Sequence, residues 1–197
     1  MVTQLRIMIA HADRDTVREV RQAVDGTHAV VAEVHTAAEF IAVGRDHTPD
    51  VVIIGTSFPD GDGIEAAIAL GNVRPIPAVV VTSRQSLELV TRAMADHVMA
   101  YLIEPVQRVE LLAAIVVAWT RFEQLRDLEE QIGDLREALV QRRVIERAKG
   151  IIMASESLTE AEAFQSMRRT AQDRRTRMID IATEIVAKAE RATEDFR

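Results

Sequence analysis

Cysteine is absent from the 197 residues, which excludes disulfides, thiolate metal sites and cysteine nucleophiles. The five histidines are scattered without the spacing of metal ligands, so neither a structural zinc nor any other cofactor is expected. Also missing is any run of about 18 apolar residues. Met1 to Ala10 lacks the basic-then-apolar layout of a leader and passes straight into a strand-like segment. These absences predict a cytoplasmic chain without a membrane span. The length suits one medium α/β domain plus a small helical module.

Charge is distributed unevenly. The whole chain carries a formal −7, yet residues 141 to 191 hold eleven Lys or Arg against eight acids and the remainder holds thirteen against twenty-three. The basic peak lies between Gln165 and Arg177, where Arg168, Arg169, Arg174, Arg175 and Arg177 face only Asp173. A local basic patch on an acidic protein suits a selective polyanion contact better than general coating of nucleic acid. Five arginines within ten residues repel one another and add nothing to a core. The alternative is a solvated helical face with pairs such as Arg169 to Asp173 at i,i+4.

Up to about residue 120, short apolar β-rich runs alternate with helical periodicity, the pattern of a parallel sheet covered by helices. The strands are expected at Leu5 to Ala10, Ala29 to Val34, Val51 to Gly55, Ala78 to Thr82 and Ala100 to Ile103, with helices such as Thr16 to Val24 and Ser86 to Ala95 between them. Five βα repeats predict a flavodoxin-like, doubly wound, five-stranded parallel sheet, whose working site lies beyond the carboxyl ends of its strands. From Val109 the pattern is wholly helical. Leu125, Leu128, Ile132, Leu135 and Leu139 recur with alternating gaps of three and four, the seam of a short coiled coil and of a homodimer. Folding of that helix back onto its own domain is the other reading, and Gly133 weakens the helix. Three short helical patterns follow, Val144 to Met153, Glu160 to Ala171 and Met178 to Ala189. Thr159 three residues ahead of Glu162 is a capping box that fixes the start of the second. The expected division is 1–120 for the α/β domain, 121–143 for the coiled-coil linker and 144–197 for a three-helix bundle.

PDVVIIGTSFPDGDG at 49–63, VVVTS at 79–83 and YLIEP at 101–105 resemble the receiver domain of bacterial response regulators over roughly residues 1 to 120. What the resemblance implies is a scaffold without its chemistry. Receivers use a pair of acids after the first strand to hold magnesium, an aspartate at the end of the third strand, a hydroxyl on the fourth and a lysine before a proline. The matching positions here are His11 and Ala12, Gly55, Thr82 and Glu104. Aspartyl phosphorylation needs a carboxylate nucleophile and a divalent ion. Gly55 supplies no carboxylate, Asp13 is a lone candidate for the ion, and Glu104 puts negative charge where the lysine belongs. His11 is expected as an exposed loop histidine and Thr82 as a relic hydrogen-bonding group. Asp60 and Asp62 are conceivable substitutes for the acceptor, but both sit in the loop beyond Gly55 and are expected as solvated loop acids around Gly61 and Gly63, which supply turn geometry.

VIERAKGIIMASESLTEAEAFQSMRRTAQDRRTRMIDIATEIV at 144–186 resembles ANTAR domains, the RNA-binding modules of bacterial transcription antiterminators. The match rests on Ala148 to Gly150, Met153, Glu162 to Phe164, Arg168, Arg169, Ala171, Arg174, Arg175 and Asp180 to Ala182, with Ser157 where members often have glycine. Ile145, Ala148 and Ile152 share a face, as do Phe164, Met167 and Ala171, then Met178, Ile181, Ala182 and Ile185. Alanines 148, 163, 171 and 182 are expected to let the helices approach closely, with Phe164 filling the centre.

The resemblance implies a regulator that catalyses nothing and binds hairpins in a nascent leader transcript, through the five arginines and, as a weaker candidate, Lys149, which is equally at home as a solvent-facing residue of the first helix. Arginine forks suit phosphates and unpaired loop bases. It further implies a dimer reading paired stem loops and, with phosphorylation lost, control by a ligand-sensing partner protein. The other readings are a protein-interaction regulator that does not bind RNA and a reader of duplex DNA, for which no helix-turn-helix context is legible.

Overall fold

The computed structural model describes residues 4–83 and 98–194, so the helix expected over Ser86 to Ala95 lies outside the described residues. The chain divides into two units, 1–127 and 128–197.

The first unit runs β1 (Arg6–Ala10), α1 (Arg14–Val24), β2 (Ala29–Val34), α2 (Ala37–Asp46), β3 (Val51–Gly55), β4 (Ser57–Phe58), β5 (Gly61–Asp62), α3 (Gly63–Val73), β6 (Ala78–Thr82), β7 (Val98–Ile103) and the start of α4 (Arg108–Glu156). Five strands form one parallel sheet in the order β2-β1-β3-β6-β7, while β4 and β5 form a small antiparallel hairpin. This is the flavodoxin-like architecture expected. The order reverses between β1 and β3, which places a crevice at the carboxyl ends of those strands.

The strands β3 and β6 are buried at every position, hence their unbroken apolar runs. Alternate residues serve opposite faces. Ile7, Ile9, Val51, Ile53, Val79 and Val81 meet α1 and α4 through Val17, Val20, Val24, Leu111, Ile115 and Ala118. Met8, Ala10, Val52, Ile54 and Val80 meet α2 and α3 through Phe40, Ala66 and Leu70. The Arg108 guanidinium binds the carbonyls of Gln22 at 3.0 Å, Ala23 at 2.5 Å and Asp25 at 3.1 Å. It supplies donors and positive charge to the carbonyl end of α1.

Helix α4 runs without a break for 49 residues, so Val144 to Met153 is not a separate short helix. The apolar register changes there while the backbone stays helical. Then come α5 (Glu160–Arg174) and α6 (Met178–Glu194). The second unit's core is Ala148 and Ile152 of α4, Ala163 and Met167 of α5 and Ala182 of α6.

Candidate functional site

The receiver-like crevice is filled by its own side chains. A Cβ on Gly55 would lie only 2.3 Å from Cδ2 of the His11 imidazole, so the ring occupies the space into which a longer side chain at 55 would project. His11 is therefore not an exposed loop residue; its side chain is 15 % accessible. Its Nδ1 accepts from the Asp13 N–H at 3.1 Å, which assigns the proton to Nε2. Nε2 points at Glu104 Oε1, 3.3 Å away. The Thr16 hydroxyl reaches the same Glu104 oxygen at 3.1 Å and Asp13 Oδ2 at 3.3 Å. Asp13 caps α1, accepting from the Asp15 N–H at 3.0 Å. Thr82 is buried, with its hydroxyl 2.9 Å from that of Thr56, and Ala12 offers only an exposed methyl.

The two loop acids are helix caps rather than solvated bystanders. Asp60 accepts from the Ala37 and Ala38 N–H groups at 2.8 and 3.0 Å. Those bonds to the start of α2 hold its carboxyl below the usual aspartate value. Asp62 caps α3 through the N–H groups of Ile64 and Glu65. Gly63 has an ordinary backbone, and its role is clearance, because a Cβ there would strike the Gly55 carbonyl.

In the second unit the capping box forms as expected. The Thr159 hydroxyl accepts from the Glu162 N–H and Glu162 accepts from the Thr159 N–H at 2.9 Å. The centre of the bundle is filled by Met167, 1 % exposed, while Phe164 is 41 % exposed. With Ala163, Met167 and Ala171 facing inward at i, i+4, i+8, Phe164 is turned about 100° away from Ala163. The sequence reading placed it on the wrong side by one residue.

The arginines divide into two classes. Arg174 makes a bidentate pair with Glu184 of α6, at 2.6 and 2.8 Å. This fork raises the pKa of Arg174 and lowers that of Glu184. It stands at a hollow of about 490 Å³ with an apolar floor that includes Ile152, Met167, Ile181 and Ile185. Arg177 binds Asp180 at 3.1 and 3.3 Å, and the Asp180 carboxylate also accepts from the Arg177 N–H at the start of α6. Arg168, Arg169 and Arg175 are exposed and form no ion pair with any of the described residues; the Arg169 to Asp173 pair does not form. Lys149 is not solvent-facing. It is 7 % exposed, and its ammonium lies 2.7 Å from both Glu146 and Glu160. Hydrogen bonds, first to Glu146 and then to Glu160, raise its pKa. Its charge is spent joining α4 to α5.

On α4 the five seam residues are all exposed: Leu125 41 %, Leu128 54 %, Ile132 47 %, Leu135 65 % and Leu139 58 %. Leu111, Ile115 and Ala118 of the same helix are fully buried, so the apolar face finds its cover in the chain up to Ala118 and lacks it over the seam.

Comparison with known sequences matches the response regulator receiver domain family over residues 7–116, more than half of the chain, and the ANTAR domain family over residues 133–186. The chain belongs to the response regulators that carry an ANTAR domain. Among the relatives of this ANTAR regulator is the transcriptional regulatory protein PdtaR of Mycobacterium tuberculosis, 37% identical over 155 residues, 79% of this chain and 76% of that protein. The nitrate regulatory protein of Klebsiella oxytoca is 37% identical over 59 residues, 30% of this chain and 15% of that one. The signal receiver domain of a modulated diguanylate cyclase from Desulfovibrio desulfuricans G20 superposes with a TM-score of 0.58 at 22% identity, covering 61% of this chain and 98% of that domain. That likeness is one of fold.

Two features of the ANTAR regulator's sites were not read from the sequence. Asp180 lies three residues after Arg177, a spacing that local reasoning can find. Glu184 lies ten residues from Arg174 on another helix, and only the bundle joins them. No helix among the described residues is long and apolar enough to cross a membrane.

Proposed function

We propose that this ANTAR regulator is a transcription antiterminator that binds hairpins in nascent leader RNA. The reading divides it into a receiver-like part over 1–120, a dimerising helix over 121–143 and an RNA-binding bundle over 144–197. It works in the cytoplasm and needs no catalytic step. The observation that carries it is the set of three exposed arginines, Arg168, Arg169 and Arg175, that neither enter the bundle core nor pair with an acid among the described residues. Unneutralised arginines on a helix end are suited to phosphate and loop-base contacts.

Control is independent of phosphorylation in this reading, since Gly55 offers no acceptor and His11 fills the crevice beside it. The receiver-like surface then serves as a docking face for a ligand-sensing partner protein. The seam supports a homodimer.

The test is titration of the full-length protein with stem-loop RNA over a range of salt. Affinity for stem-loops should fall with salt, with a slope of roughly 0.7 to 0.9 per phosphate contacted. Binding no tighter than to an unstructured RNA, with no salt slope, would favour the reading in which the bundle binds protein.

A further inference from the structure

The two flanks of α5 differ in chemistry. One flank carries Glu162, Arg169 and Asp173, which line a shallow hollow with Leu158, Ser166 and Thr170, so its single arginine is set among acids. The other carries Phe164 and, four residues on, Arg168, at an angular offset of about 40° from Phe164; Arg175 follows as the left-handed cap at the carboxyl end of the helix. Ala161 and Gln172, also exposed, complete that side, and no acid shares it beyond Glu160, which is tied to Lys149 at 2.7 Å. Arg168 and Arg175 form no ion pair among the described residues.

Phe164 is unusual here. An aromatic ring in so small a bundle is expected to fill the centre, yet Met167 does so and 41 % of Phe164 meets solvent. An exposed ring one turn before an unneutralised guanidinium group, with a second at the carboxyl end of the same helix, is poorly explained as packing. It matches what an unpaired nucleobase requires, a flat apolar surface with cations close by to hold the phosphates of the strand.

We propose that Phe164 is the platform on which an unpaired loop base of the RNA stacks, with Arg168 holding the neighbouring phosphate and Arg175 one further along the strand. This rests on the antiterminator reading and assigns loop recognition to one flank of α5. Arg174 and Arg177 then contribute less, being bound to acids, and Arg169, unpaired but on the other flank, lies outside the loop contact.

The experiment uses full-length protein and a stem-loop selected on it from a library with a fixed stem and a randomised loop. Phe164→Leu keeps apolar bulk and removes the flat ring. It should weaken binding on the order of 10-fold and erase preference for the selected loop over a scrambled one, while the thermal melt stays close to wild type. Phe164→Tyr should restore both affinity and preference.

A direct readout follows from the chain having one tryptophan, Trp119. In the double variant Trp119→Phe, Phe164→Trp, the fluorescence of the introduced indole should be quenched by the selected stem-loop and not by the matching fully paired duplex. Wild-type affinity and loop preference in Phe164→Leu, or no loop-specific quenching, would overturn the stacking proposal and leave RNA binding intact. Failure of the wild-type protein to select any stem-loop would overturn the antiterminator reading itself.

Discussion

At position 55 the missing side chain and the His11 imidazole beside it form one arrangement. Restoring aspartate alone should therefore fail, because its Cβ must displace His11 and its charge would lie near Glu104, already bonded to Thr16 and His11. Gly55→Asp is expected to cost about 1 to 3 kcal/mol by overpacking. It should take no phosphoryl group from acetyl phosphate and magnesium, as seen by mass spectrometry and denaturant melts. His11→Ala in the same chain should recover part of the stability. Full stability together with a phosphoaspartyl adduct in Gly55→Asp would sink this account of the crevice. A second residue under constraint is Ser157, held at φ 54°, where a side chain crowds its own backbone at a cost of about 1 to 2 kcal/mol. Ser157→Gly should raise the stability of the bundle by about 0.5 to 1 kcal/mol once the added freedom of the unfolded chain is subtracted. A lowered melting temperature would show that the hydroxyl has a role the backbone angle does not reveal.

Helices are where sequence reasoning succeeded most and where its one large error lies. The helix through Leu125 to Leu139 and the Thr159–Glu162 box follow from local rules and need no tertiary knowledge. The break expected before Val144 does not exist, because the apolar positions move from the exposed Leu135 and Leu139 to Ile145, Ala148 and Ile152 as the helix meets α5 and α6. A change of face looks like a change of element when only hydrophobic pattern is read. Phe164 was misplaced for a related reason, since volume favours the ring at a centre that geometry gives to Met167. Because the seam is exposed in the single chain, Leu128→Asp and Leu135→Asp should leave each chain folded and weaken self-association, as measured by sedimentation. A charge buried in a seam carries a heavy desolvation cost. Unchanged mass in both variants would make the helix a spacer.

Helix caps and interhelix pairs give the element scale its pH dependence. Asp60, Glu160, Glu162, Asp180 and Glu184 all have lowered pKa values, through hydrogen bonds to α2, Lys149, Thr159, Arg177 and Arg174 respectively. Each folded carboxyl holds its proton less tightly than the unfolded one, so the unfolded chain binds more protons as the pH falls. The stabilisation is complete above the ordinary carboxylate range and is lost as the pH drops through the lowered values. Glu162→Gln should flatten the acid limb of the stability profile while keeping the cap, because an amide oxygen also accepts the Thr159 N–H. An unaltered acid limb would remove Glu162 from the account.

Across the whole molecule, a chain of net charge −7 carries its unneutralised arginines near one end of a small bundle, and its uncovered leucine seam lies earlier in the same chain. The receiver fold and the basic stretch were legible because both are written locally, as strand runs and as clustered arginines. Which arginines stay unpaired was not legible, since Glu184 answers Arg174 only through the fold. If two bundles are joined through the seam, each needs to bind its hairpin only weakly, because the second contact becomes intramolecular and gains through effective concentration. RNA with two tandem stem-loops should then bind the wild-type protein about 10² to 10⁴ times more tightly than RNA with one, provided the spacing lets both bundles engage. In Leu135→Asp that advantage should shrink towards the factor of about two expected from counting sites, while affinity for a single stem-loop stays near wild type. Competition titrations with single and tandem RNAs of equal length separate the two terms. If Leu135→Asp lowered the single-hairpin affinity as much as the tandem one, the seam would be acting on the bundle within one chain, and the dimer would have no part in reading paired hairpins.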